Sequence, residues 1–268
     1  MARFLCVGLL SLTYYSMTYC LAISVNKGIV FASDSRTNAG VDYVTTYSKM
    51  HTFVWPDDRT CVLLTAGNLA TSQAVINNIK TDLEESRAKM SLHKGKHLHE
   101  LAHYVGQLSQ KEQRQHADAM EKSGNGGIGA SFILGGQITG QAPEIYLIYP
   151  QGNYISASSD TPYLQIGENK YGKPILDRII SPTTSLEDAA RCALVSLEST
   201  IRSNISVGPP IELAIHTCDA IQNPYHQKLT LNSPLYKSLQ KKWNDGLRQA
   251  FNRLPRFDWE NKNAKPDG

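Results

Sequence analysis

Thr18-Tyr19-Cys20-Leu21-Ala22-Ile23-Ser24-Val25 is followed by the turn Asn26-Lys27-Gly28 and then by Ile29-Val30-Phe31-Ala32-Ser33-Asp34. Both flanks are rich in residues that suit a pleated, half-buried surface, and the turn between them is short. The stretch therefore predicts a β-hairpin with Thr18 at one end. A hairpin brings its ends together, so Asp34 is expected beside Thr18.

Working outward, Ser35 to Asp42 is a polar segment with Asn38 and Gly40 and predicts a loop. Lys49 to Val54 and Cys61 to Thr65 predict two more strands joined by Pro56-Asp57-Asp58. Ala66-Gly67-Asn68 ends the second of these and opens a helix, in which Ala74, Val75 and Ile79 recur at helical spacing. Lys94-Gly95-Lys96 interrupts, and a second helix runs from about His97 to Lys122. The glycines of 124–129 suit a hairpin turn; no Gly-Lys-Ser/Thr follows them, so they make no phosphate loop. Ala130 to Leu134, Glu144 to Tyr149 and Asn153 to Ala157 predict strands, and Tyr171 to Ile179 a helix despite Pro174. Ser185-Leu186-Glu187-Asp188 resembles a capping box and starts a helix through about Arg202. Ile211 to Cys218, a short strand near Leu229 and a last helix from Pro234 to Leu254 complete the set, leaving a polar, loose tail at 255–268. Strands cluster apart from helices. That argues against a doubly wound sheet and for an α+β fold of two antiparallel sheets covered by helix layers, with one domain over 18–254.

The 268 residues carry a net charge of +3 and 41% apolar side chains, which suits a globular domain and demands neither nucleic acid nor an acidic partner. The five cysteines are scattered, without a C-x-x-C pair, and predict reduced thiols in a cytoplasmic protein. Residues 1–17 hold a short apolar run, Phe4 to Leu12, too short to span a bilayer. An upstream start, a propeptide and an export signal all fit this leader. The first is preferred, because Met17-Thr18 is a serviceable start and methionine is readily trimmed before threonine.

Thr18, Asp34, Lys49 and Gly67 supply a set of types that nucleophilic catalysis needs. A threonine hydroxyl requires a base, and an N-terminal threonine carries one in its own α-amine, with an ordinary pKa of roughly 7.7–8.0. Lys49 would push that amine toward neutrality, Asp34 would hold Lys49 charged and aimed, and the Gly67 N–H could receive an oxyanion. Each residue alone has a plainer reading as a turn residue, a solvated lysine or a helix entry.

The stretches Thr18–Ile23, Gly28–Gly40, Lys49-Met50 and Thr65-Ala66-Gly67-Asn68 together resemble the N-terminal half of a proteasome β-type subunit. Ile166-Gly167-Glu168-Asn169-Lys170-Tyr171-Gly172-Lys173-Pro174 through Arg178 resembles the bacterial Anbu subfamily's version of the motif before the third helix. Arg202-Ser203-Asn204-Ile205-Ser206-Val207-Gly208 resembles the loop that closes the site. The resemblance implies a four-layer αββα N-terminal-nucleophile hydrolase that cuts peptide bonds and self-associates into rings or open helical arcs. It implies Thr18 as nucleophile, Asp34 and Lys49 as charged partners, Gly67 as oxyanion donor, and Arg36, Ser203 and Ser206 in support. It implies a peptide or unfolded protein as substrate. No cofactor, metal, nucleic acid or membrane is expected, and since the sequence holds no ATP-binding motif, any ATPase would be a separate protein. There are departures: Met17 stands where self-processing subunits carry glycine, Ser203 where an aspartate is usual, and Gly167-Glu168-Asn169 where Gly-Ser-Gly is usual.

Two alternatives stand beside this. With 1–17 still attached, the chain would be a ring-forming scaffold without a free amine. His99-Glu100-Leu101-Ala102-His103 matches the H-E-x-x-H of zinc proteases, but the third ligand is missing, since Ser109 stands where a histidine would be.

Overall fold

Alternation along the opening hairpin sorts its side chains onto two faces, and both faces are covered. The computed structural model describes residues 18–38, 44–85, 87–123 and 127–262, so the leader at 1–17 lies outside the described residues. Strands β1 (Tyr19–Val25) and β2 (Gly28–Asp34) pair antiparallel, with Cys20 opposite Ser33 and Val25 opposite Gly28. Tyr19, Leu21, Ile23, Val30 and Ala32 join one apolar cluster, while Cys20, Ala22, Ile29 and Phe31 join another. Gly28 has φ +141°, and a Cβ there would lie 2.0 Å from the His216 carbonyl oxygen, so only glycine lets the neighbouring strand approach.

β3 (Arg36–Asn38) and β4 (Val44–Thr46) form a small hairpin where a loop was expected; its threonines and valine favour the extended chain. The turn between them, with Gly40, lies outside the described residues. β5 (Met50–Trp55) and β6 (Arg59–Gly67) follow, then α1 (Leu69–Glu84), capped by the Asn68 side chain accepting from the Thr71 N–H at 3.1 Å. α2 (Leu98–Ser123) leads into β7 (Ala130–Ile138), so the glycine-rich segment joins helix to strand and is not a hairpin turn. β8 (Glu144–Ile148) and β9 (Tyr154–Ser156) were expected; β10 (Tyr163–Gly167) was not. α3 (Lys173–Ile179) precedes α4 (Leu186–Ser203), whose Ser185 cap accepts from the Asp188 N–H. β11 (Ile211–Thr217), β12 (Tyr225–Leu229) and α5 (Pro234–Asn252) follow, and the tail carries a further short helix, α6 (Asp258–Lys262), where a loose segment was expected.

One sheet has the order β10-β1-β2-β11-β12 and the other β5-β6-β7-β8-β9, with antiparallel pairs throughout. Phe31, Ile29, Val62, Leu64, Ile133 and Ala214 fill the space between the sheets. Leu176 and the apolar face of α4 cover the outer face of the first sheet, and Val75, Ile79, Leu101 and Val105 of α1 and α2 cover that of the second. This is the expected α+β, four-layer αββα sandwich. Burying each large apolar side chain contributes on the order of 1.5–3 kcal/mol, which makes the three clusters the main source of cohesion.

Candidate active site

The hairpin register brings Asp34 level with the chain just after Thr18. The Tyr19 N–H donates to Asp34 Oδ1 at 3.0 Å. Lys49, just before β5, donates from Nζ to the same oxygen at 2.7 Å and to the Arg36 carbonyl at 2.7 Å. The Gly208 N–H donates to Asp34 Oδ2 at 3.1 Å. Asp34 is fully buried and Lys49 nearly so. Burial pushes the Asp34 carboxyl above the ordinary carboxylate range, and the Lys49 ammonium and the two N–H donors pull it back. β6 joins the group through the Thr65 N–H, which donates to the Lys49 carbonyl at 2.9 Å. Gly67 sits at the exposed end of the same strand. Its φ is +100°, and a Cβ there would lie 2.5 Å from the Gly129 carbonyl oxygen, so the position requires glycine.

A second set of bonds surrounds Thr18. Its carbonyl accepts from the Glu168 N–H at 2.7 Å. The Glu168 carboxylate accepts from Asn204 Nδ2 at 3.0 Å, and Asn204 Oδ1 accepts from the Ser206 N–H at 3.0 Å and from its hydroxyl at 2.6 Å. The 204–208 loop is fastened to the β2 end, because the Gly208 carbonyl accepts from the N–H groups of Ser35 and Arg36 at 3.2 and 3.1 Å. The Arg36 guanidinium donates to the Ile205 carbonyl. Arg36 thus braces the segment after Asp34, and Ser206 stands in the network. Ser203 does not: α4 continues through it and leaves it exposed, and the loop begins at the helix-ending Asn204. Glu168, Asn204 and Gly208 were not among the predicted site residues. Their signal was the departure at Gly167-Glu168-Asn169 and the polar run after Arg202.

Thr18 continues the alternation of Cys20 and Ala22, both in the core between the sheets, so it belongs to the face that opens between them. The Cys20 thiol beneath it is buried and pushed far up, which keeps it unreactive. Beside Lys49 lies a cavity of about 460 Å³ whose walls include Ser48, His51, Leu69, Gln73, Ile76 and Lys80. Burial, reinforced by Lys80, lowers the His51 pKa to about 4, so the ring is neutral at pH 7. The arrangement is a buried ion pair beside a backbone turn, a cavity of mixed polar and apolar lining and a strand-end glycine.

The H-E-x-x-H residues do other work. Glu100 accepts the Lys96 N–H at 2.8 Å as a cap at the start of α2. His99 is exposed and stacks on His97, and His103 is exposed with its ring edge toward Tyr154. Among the described residues no three His, Cys, Asp or Glu side chains are grouped to hold a metal. The described cysteines, Cys20, Cys61, Cys192 and Cys218, are free. No helix among the described residues is long and apolar enough to cross a membrane.

The family model of the proteasome subunit matches residues 17–216. No curated protein matches the chain. Among solved structures, the Anbu (ancestral beta-subunit) of Yersinia bercovieri is 39% identical, with a TM-score of 0.84, covering 90% of this chain and 99% of that one. A helical assembly of the Anbu complex from Pseudomonas aeruginosa is 44% identical with a TM-score of 0.85, covering 90% and 98%. Anbu from Hyphomicrobium sp. strain MC1 is 40% identical with a TM-score of 0.81, covering 90% and 100%. With the layered fold and these matches together, the chain belongs to the proteasome subunit family, in its Anbu, or ancestral β-subunit, branch.

Proposed function

We propose that the chain is a threonine peptidase that works once Thr18 is its first residue. The supporting observation is the Asp34 carboxylate, which binds the Tyr19 N–H and the Lys49 ammonium through one oxygen and so ties the nucleophile's segment to the cation. In this reading the Thr18 α-amine takes the hydroxyl proton as Oγ attacks a peptide carbonyl carbon. The oxyanion forms at the Gly67 N–H, and the amine passes its proton to the leaving nitrogen. Water, deprotonated by the same amine, then cleaves the ester and frees Thr18. Lys49 disfavours protonation of the amine and stabilises negative charge at Oγ. Glu168, Asn204 and Ser206 hold the Thr18 carbonyl in place.

The cavity beside Lys49 takes one substrate side chain. Its walls mix hydroxyls, amides and a neutral imidazole with Leu69 and Ile76, and Lys80 is its cation, so it favours an acidic side chain over a basic one. A peptide library should show that preference, and Lys80→Glu should reverse it toward basic side chains. Self-association belongs to the same reading: a relative forms a helical assembly, and Leu247, Phe251, Leu254, Phe257 and Trp259 of this chain are exposed near its C-terminal end. The free cysteines suit a reducing compartment, here the cytoplasm.

Thr18→Ala tests the proposal. It should abolish acylation by a threonine-directed β-lactone and all peptide cleavage while leaving the assembly unchanged. Cleavage that survives it would overturn the mechanism. A wild-type chain that assembles but neither cleaves nor labels would favour a scaffold instead.

A further inference from the structure

Glu212 is a buried carboxylate that the proposed chemistry does not use. β11 places it opposite Ser33 on β2 and opposite Lys228 on β12. Its strand neighbour on the same face, Ala214, lies in the core between the sheets, so Glu212 points into the gap between them; it is 4% exposed. Charge in such a place is costly unless paired and hydrogen-bonded, so what it binds is informative.

One of its oxygens accepts from the Ser35 hydroxyl at 3.3 Å and the other from the Ser48 hydroxyl at 3.0 Å. Ser35 directly follows Asp34, and Ser48 directly precedes Lys49. Between them the chain leaves the sheet as the β3–β4 hairpin and returns. The pairing of β3 with β4, and the Tyr47 N–H donating to the Ser35 carbonyl at 3.0 Å, join the two legs to each other. The outgoing leg is also fastened to the 204–208 loop through the Gly208 carbonyl. For the returning leg, Glu212 adds a fastening to the first sheet through Ser48, next to the Lys49–Asp34 bond itself. The Ser48 hydroxyl also lies 2.9 Å from the Met50 carbonyl, so it sets the entry into β5 as well. From the outer edge, His226 Nε2 at 3.4 Å and Lys228 Nζ at 3.8 Å face the same carboxylate.

We propose that Glu212 is a positioning residue that clamps both roots of the β3–β4 hairpin and thereby sets Lys49 against Asp34. Its purpose rests on the peptidase reading; its geometry does not. A displacement of about 1 Å in a catalytic group can cost on the order of 100-fold in rate.

The test combines acylation of Thr18 by a small β-lactone, too small to use the side-chain cavity, with crystal structures of the same variants. Glu212→Ala should slow acylation about 10- to 100-fold and move Lys49 Nζ out of hydrogen-bond reach of Asp34, from the present 2.7 Å. Glu212→Gln keeps a polar group for both hydroxyls and should hold the rate within about threefold, which a loss of mere stability would not produce. Lys228→Ala should change the rate less than twofold. If Glu212→Ala fails to fold, the paired substitution Ser35→Ala with Ser48→Ala cuts both legs and should show the same slowing. A Glu212→Ala structure with Lys49 and Asp34 unmoved would overturn the proposal, as would an unchanged rate. A wild-type protein that β-lactone does not acylate would count against the peptidase reading alone, and the crystallographic distance would still decide the clamp.

Discussion

Lys49→Met is expected to destabilise the fold by about 3 kcal/mol at pH 7 and by much less at pH 5. The ammonium it removes donates at 2.7 Å to Asp34 and at 2.7 Å to the Arg36 carbonyl, in a site closed to water. Removing one member of a buried pair costs about 3–5 kcal/mol, because the other charge is left uncompensated. Asp34 keeps the N–H donors of Tyr19 and Gly208. Hydrogen bonds to a charge are worth about 1.5–3 kcal/mol each, which puts the cost at the lower end of that range. Burial already raises the Asp34 pKa, and without Lys49 it rises further. A group whose folded pKa lies above its unfolded value adds stability below the unfolded pKa, about 3.9, and loses it as pH rises through the folded value. The variant therefore regains stability on acidification, and its deficit against wild type shrinks. Lys49→Met combined with Asp34→Asn removes both charges and should return to within about 1 kcal/mol of wild type, yet remain inert to β-lactone. The assay is urea unfolding at pH 5, 7 and 8 at one fixed protomer concentration, since assembly raises apparent stability by mass action. A single-variant cost below about 1 kcal/mol at every pH, or a double variant no more stable than the single one, would refute this account of the pair.

Gly67→Ala should cost about 2 kcal/mol or more, from a left-handed backbone and a Cβ pressed on the Gly129 carbonyl; urea midpoints would show it, and acylation should fall as the Gly67 amide shifts. Gly172→Ala places a Cβ 2.2 Å from Ser196 Oγ and 2.3 Å from Tyr19 Oη, so it should break the buried 2.7 Å bond between those hydroxyls, lowering stability by about 1–3 kcal/mol in thermal melts. The lowered pKa of His51, about 4, means the unfolded chain binds the proton first as pH falls, so stability is lost between about pH 6.5 and 4. His51→Gln should flatten that acid limb in urea unfolding across the same window.

How much of this was legible from sequence follows from the range of each interaction. The opening hairpin carries its own turn and its own alternation, so its register, and with it the nearness of Asp34 to the Thr18 end, could be read locally. The Ser185 cap was equally local. β10 was missed because it is five residues long and its partner is β1, far away in the chain. Nothing near Tyr163 shows that Tyr19–Ile23 will lie beside it. Ser203 lies outside the network by a single residue at a helix end: α4 runs through it and leaves it exposed, and Asn204 is the residue that bonds Glu168 and Ser206. Glu212 carries no signal in its own strand, where His216 and Thr217 are polar as well. Its meaning depends on Ser35 and Ser48, which only the folded chain brings together. The H-E-x-x-H spacing was real, but spacing places two histidines on a helix face without showing what they face.

The central claim is that Thr18 acts as an N-terminal nucleophile. The most direct measurement is intact mass with N-terminal sequencing of the purified assembly, before and after β-lactone. The account predicts a chain that begins at Thr18 and gains one adduct, located on Thr18. A reactive assembly that retains Met17, or an adduct on any other residue, would contradict it.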